Sequence, residues 1–172
     1  MKLENTALII VDVQIGLFQR KIPIFKEQEV LENINRLEDY AHSHNLPVIY
    51  IQHSNQSTLI KESSEWQLHP RLKKKTGDLL IHKRFPNTFK ETNFNLELKN
   101  RKINQLIIVG TLTDNCVSAT CIGARKLRYE VILVTDAHST FNEPPTEIIN
   151  KMHRKLHNMG IILKSTDEII LI

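Results

Sequence analysis

Thr6-Ala7-Leu8-Ile9-Ile10-Val11, continued at once by Asp12, is the stretch on which the fold turns. A strand with one wet face alternates apolar and polar residues. A strand that is apolar throughout is covered on both faces, which is the condition of a parallel sheet between helices. The same reading extends to Pro47-Val48-Ile49-Tyr50-Ile51, Leu79-Leu80-Ile81, Gln105-Leu106-Ile107-Ile108-Val109 and Val131-Ile132-Leu133-Val134, with a shorter final pair at Ile161-Ile162-Leu163 and Ile169-Ile170-Leu171-Ile172. Between these runs the apolar period is helical. Val30, Ile34, Leu37 and Ala41 recur at i, i+4, i+7 and i+11. Cys116 to Leu127 forms a second helix with Arg125, Lys126 and Arg128 at its end, where cations suit the helix dipole. Pro144-Pro145 opens a third, striped by Ile148, Ile149, Met152, Leu156 and Met159 and closed by Gly160; a weaker one spans Asn93 to Lys99. Alternating strand and helix predict one domain over residues 1–172, a three-layer α/β/α sandwich around a mainly parallel sheet of five to six strands. One stretch breaks the rhythm. Residues 54–78 form a polar connection too long for an ordinary link, expected to be a lid-like active-site cover.

Composition narrows the class further. With 172 residues, 41% of them hydrophobic and 24% charged, the chain has the make-up of an ordinary globular domain large enough to need no disulfide or metal for its core. The longest apolar runs fall far short of the roughly 18 residues a membrane span requires, and Met1 to Asn5 lacks the apolar core of an export signal. The net charge of +4 is too small to signal nucleic-acid binding unless it clusters. Arg71-Leu72-Lys73-Lys74-Lys75 is such a cluster, but it lacks interleaved aromatics and reads as a solvated loop. Cys116 and Cys121 are five apart; on one helix their Cα atoms would lie roughly 8–9 Å apart, beyond the reach of a disulfide. Two free thiols without an export signal predict a cytoplasmic protein. Gly16 is the only glycine near the first strand, so no dinucleotide fingerprint is present.

In open parallel sheets ligands bind beyond the carboxyl ends of the strands. The strand ends here lead in turn into Asp12 with Gln14, then Gln52 and His53, then His82, Lys83 and Arg84, then Gly110 to Cys116, then Asp136, His138 and Ser139. An acid, a lysine and a cysteine therefore converge on one rim. Alone, each has a plain explanation: a cap, a solvated ammonium, a small buried hydrophobe. Together they make a nucleophile, a proton acceptor and a cation, with the helix turn around Cys116 and the Lys83 ammonium expected to favour the thiolate. His153 and His157 stand at i, i+4 on a helix, a spacing that can hold a metal, but without the glutamate of a zincin motif.

These residues resemble the isochorismatase-like cysteine hydrolases, which include nicotinamidases and N-carbamoyl amidohydrolases. The resemblance rests on Ala7 to Gln14, Trp66 with His69-Pro70, Lys83, Asn87 to Thr92, Gly110 to Val117, and Val134 to Ala137. It implies a Rossmann-like strand order and a Cys116–Asp12–Lys83 triad. It also implies a cis peptide at Thr111–Leu112 and an oxyanion hole from the Leu112 and Cys116 amides. Substrate contacts are expected from Gln14, Phe18, His53, Trp66 and Asn115, with a small amide-like substrate, no cofactor, and a homodimer or homotetramer. The metal-binding Asp-x-His of the nicotinamidase branch is represented only by Ile51-Gln52-His53, and one imidazole makes no metal site. A metal-independent hydrolase of a C–N bond is the expectation. A catalytically weak binding or regulatory module, or nicotinamidase or isochorismatase activity, are the alternatives.

Overall fold

A computed structural model describes residues 4–171. Six strands, β1 (Thr6–Val11), β2 (Val48–His53), β3 (Leu79–Lys83), β4 (Gln105–Thr111), β5 (Glu130–Ser139) and β6 (Ile162–Lys164), form one sheet in the order β3-β2-β1-β4-β5-β6. Every pairing in it is parallel. This is the doubly wound order in which the chain switches direction between β1 and β4, the place where such sheets bind ligands.

The helices are α1 (Ile15–Phe18), α2 (Glu27–Ser43), α3 (Phe94–Asn100), α4 (Ser118–Lys126), α5 (Pro145–Asn158) and α6 (Thr166–Ile170). Leu8, Ile10 and Tyr50 point to one face, packing with Leu31, Ile34 and Leu37 of α2 and Ile169 of α6. Ala7, Ile9, Val11, Ile49 and Ile51 point to the other, packing with Phe94, Cys121 and Leu156 of α3, α4 and α5. Alternation along continuous apolar strands thus feeds two cores at once, which is why β1 is buried at all six positions.

Two features depart from the sequence expectation. Ile169 and Ile170 belong not to a strand but to the end of α6, with Leu171 as its C-cap, while Ile172 lies outside the described residues. Ser165 caps that helix reciprocally with Glu168: the Ser165 hydroxyl accepts the Glu168 N–H and the Glu168 carboxylate accepts the Ser165 N–H. This capping box outweighs the β-propensity of so short an apolar run. Strand β5 runs on through Asp136, His138 and Ser139, with a register irregularity opposite Ile108 to Gly110 that lets His138 pair with Gly110 and Ser139 with Thr111. Such irregularities re-aim side chains beside functional sites.

The connection over 54–78, expected as a lid-like cover, is anchored beside the strand ends through residues 65–69. Its backbone is sewn to the exit of β1 by Ile15 N–H to Gln67 (3.0 Å), Gly16 N–H to Glu65 (2.8 Å) and His69 N–H to Val13 (2.8 Å). A Cβ at Gly16 would stand 2.8 Å from the Glu65 Cβ, so only glycine permits this approach. The basic run is held down too. Arg71 reaches Gln28 (2.5 Å) and Glu32 (4.0 Å), and Lys73 pairs with Asp39. No helix among the described residues is long and apolar enough to cross a membrane.

Candidate active site

Asp12 succeeds β1 directly with φ of 49°, in the left-handed region that aspartate tolerates better than most residues. The ends of β1 and β4 hold it there. Gly110 has φ of 117°, and a Cβ on it would lie 2.1 Å from the Val11 carbonyl oxygen, so a side chain would wedge the central strands apart. Next to it, the Thr111 hydroxyl donates to the Asp12 carbonyl at 2.7 Å. The Asp12 carboxylate is 1% exposed, and its Oδ2 accepts from the Lys83 ammonium at 2.8 Å. Lys83, itself 2% exposed, spends its other two protons on the carbonyls of Phe85 (3.3 Å) and Pro86 (3.1 Å). A buried ion pair persists only when its remaining donors are satisfied in this way. The other oxygen, Asp12 Oδ1, is buried and has no hydrogen-bond partner among the described residues.

Cys116 lies close to the Asp12 carboxylate. It is buried in a π-helical turn, Thr113–Val117, which leads into α4, and the Thr111–Leu112 peptide before the turn is cis. π-Helical turns are uncommon and concentrate at functional sites. Ligand-type atoms of Asp12, His53 and Cys116 all lie within 4.8 Å of one another. These three could between them hold a soft metal ion, although they are the acid and thiol of the expected triad plus one imidazole.

The electrostatics differ from the sequence expectation. Burial, and then the Asp12 charge, push the Cys116 thiol well above its ordinary range, and Lys83 offsets this only in part. Both causes favour the thiol over the helix-stabilised thiolate of the sequence expectation. Depth of burial decides this, and no sequence spacing reports depth. Cys121 is fully buried on α4 and its thiol is also pushed up by burial. His53, half-buried, is held toward the neutral form mainly by burial.

The structure sorts the expected substrate contacts into two groups. His53 and Trp66 belong to the site. Trp66 stacks on His82 (5.3 Å between centroids, 21°) and with Lys61, Lys83, Arg84 and Phe85 lines a cavity of about 380 Å³ that meets the ion pair at Lys83. Asn115 is exposed next to Cys116, and Leu112 is buried at the head of the turn. Gln14 and Phe18 have other tasks. Gln14 is fully buried, its amide donating to the His53 and Trp66 carbonyls (2.9 and 2.7 Å) and accepting from His53 N–H (2.8 Å). It therefore fastens the connection to the rim instead of facing a substrate. Phe18 packs into the α2-side core with its ring 4.9 Å from that of His69, because α1 turns it inward.

The Phe85 and Pro86 carbonyls that hold Lys83 carry no signal in the sequence, whereas Thr111 and Gln52, whose amide donates to Trp66 at 2.9 Å, stand at strand ends already singled out. Backbone acceptors leave no trace in residue identity. His153, half of the i, i+4 histidine pair on α5, instead meets His138.

Comparison with known proteins places this geometry in a class. An isochorismatase domain family model matches residues 6–167, and the chain belongs to that family. It is 28% identical over 160 residues to YwoC, an isochorismatase family protein of Bacillus subtilis, covering 84% of this chain and 82% of that protein. It is 25% identical over 140 residues to a streptothricin hydrolase of Streptomyces noursei, covering 80% of this chain and 51% of that one. A cysteine hydrolase from Pseudomonas syringae pv. phaseolicola superposes with a TM-score of 0.93 over 99% of this chain and 93% of that chain. At 19% identity, this likeness is one of fold. The protein thus has the isochorismatase-like hydrolase fold.

Proposed function

We propose that the protein is a metal-independent cysteine hydrolase that cleaves a C–N bond of a small amide-like substrate through a thioester. The observation that carries this reading is the buried grouping of Asp12, Lys83 and Cys116 at the ends of three different strands, with an Asp12 carboxylate oxygen within 4.8 Å of the Cys116 sulfur. The raised thiol assigns the first step to Asp12. It takes the Cys116 proton as the sulfur attacks the carbonyl carbon, so thiolate and charged carboxylate need not coexist. Lys83 fixes the carboxylate and balances its charge before transfer. The amides of Leu112 and Cys116 face the oxyanion, where losing one donor typically costs about 10²–10³ in rate. Asp12 then returns the proton to the leaving nitrogen, the C–N bond breaks, and an acyl group remains on sulfur. A water deprotonated by Asp12 cleaves the thioester and the thiol is restored.

The cavity of about 380 Å³ beside Lys83 has room for a small substrate, and the streptothricin hydrolase relative is consistent with hydrolytic chemistry. The test is turnover of a panel of amides, ureides and carbamoyl compounds by wild type and Cys116→Ala. The variant is expected to fold normally and lose all turnover. Undiminished turnover would remove Cys116 from the mechanism.

A further inference from the structure

A second set of buried polar groups touches the Cys116 turn from the side away from Asp12. Thr113 opens that turn and is fully buried; its Oγ1 lies 2.8 Å from Nδ1 of His138. His138 is 2% exposed, and its Nε2 lies 2.9 Å from Nε2 of His153 on α5, the rings meeting edge to face at 82°. The irregularity in β5 is what brings His138 under Gly110 and hence against the turn. His153 is the outer end. It lines a cavity of about 300 Å³ together with His138 itself, Lys26 just before α2, Glu29 of α2, Asp136 of β5, and Thr146 and Asn150 of its own helix.

We propose that His138 and His153 are positioning residues that hold the Cys116 turn through Thr113, with His153 as the acid-sensitive end of the relay. The proposal rests on Cys116 being the reacting group. Its logic is one of proton inventory. Two Nε2 atoms at 2.9 Å share one hydrogen, so one ring donates and the other accepts. While both rings are neutral, His138 can give its Nε2 proton to His153 and accept the Thr113 hydroxyl at Nδ1. A second proton on His153 forces that ring to donate. His138 must then carry its own proton on Nδ1 and donate to Thr113 Oγ1, so the hydrogen bond at the turn reverses.

The surroundings leave His153 as the point of entry. Burial, with His153 beside it, depresses His138 to about 3, and burial lowers His153 by itself. Of the charged neighbours, Lys26 and Glu29 neutralise each other at 2.9 Å. Asp136 accepts the Thr166 N–H and hydroxyl on Oδ1, both at 2.8 Å, and Asp114 on the turn is bonded by Asn142.

The test monitors the reaction of Cys116 with 2,2′-dipyridyl disulfide between about pH 4.5 and 8, alongside the imidazole nitrogen resonances of ¹⁵N-labelled protein, a range that brackets the ordinary histidine titration. Neither readout requires turnover, so both survive failure of the hydrolase assignment. In the wild type, Cys116 reactivity should show an acid inflection that coincides with titration of His153 below its ordinary range, while His138 stays neutral. His153→Gln should fold with unchanged melting and lose the inflection. His138→Gln should slow the reaction by roughly fivefold, the worth of one ordinary hydrogen bond. If that variant does not fold, the half-buried His153 decides alone. An inflection that persists in His153→Gln, no inflection in the wild type, or a charged His138 at about pH 5 would overturn the proposal.

Discussion

Replacing Lys83 with Met tests the assembly of the site independently of any substrate. The change keeps the length of the side chain and removes the charge. Lys83 now satisfies Asp12 Oδ2 at 2.8 Å and two carbonyls at 3.1 and 3.3 Å. Both charged groups are almost fully buried, at 2% and 1% exposed. Removing one member of such a pair strands the other, at a cost of about 3–5 kcal/mol. For a chain of this size that lowers the melting temperature by roughly 6–20 °C. Asp12→Asn alone should cost a comparable amount by stranding the ammonium. The double variant should recover much of the loss, since a neutral pair leaves no buried charge, giving a coupling of about 2 kcal/mol or more. Urea unfolding of the four proteins at neutral pH measures the cycle. Additive single losses, or a Lys83→Met loss under about 1 kcal/mol, would refute the description of a satisfied buried pair.

Asp12→Asn should also separate reactivity from catalysis. With the carboxylate gone, one of the causes that raise the Cys116 thiol is removed, so iodoacetamide labelling at mildly alkaline pH speeds up while amide hydrolysis is lost. Mass spectrometry against a free small thiol measures the rate, because the fully buried Cys121 is no reference. Gly110→Ala should destabilise by about 3 kcal/mol or more, combining a left-handed backbone with a Cβ 2.1 Å from the Val11 oxygen; chemical denaturation measures it. Stability should fall on acidification from about pH 6.5. His138 in the folded chain resists protonation down to about 3 while the unfolded chain binds the proton. The contribution is roughly 1.4 kcal/mol per pH unit in that window, and above it nothing is lost. Denaturation midpoints at about pH 7 and pH 5 should differ less in His138→Gln than in the wild type.

How much of this could be read in the sequence depends on what each feature requires. Strands β1, β2 and β4 and the first half of β5 were legible because a parallel strand buried on both faces is apolar throughout; β3, at the sheet edge with Leu80 and His82 exposed, was legible only as a short apolar run. Asp12, Lys83 and Cys116 were legible because parallel sheets gather the residues just beyond their strands. The helix at Thr166 to Ile170 was not, although Ser165 and Glu168 carry its capping signal; a short apolar run looks the same in either conformation. Gln14 and Phe18 stand two and six residues beyond Asp12, and only the turn taken by α1 shows that both face inward. The partnership of His138 with His153 depends on an irregularity in β5 and on the path into α5, neither of which has a period. Burial set the state of the Cys116 thiol against the expectation from its neighbours.

The most direct measurement of the central claim is intact-protein mass spectrometry of acid-quenched reactions with the amide panel, combined with peptide mapping. The account predicts an acyl adduct carried by the peptide containing Cys116, present in wild type and absent in Cys116→Ala. Turnover without an adduct on that peptide, and retained in the alanine variant, would contradict it.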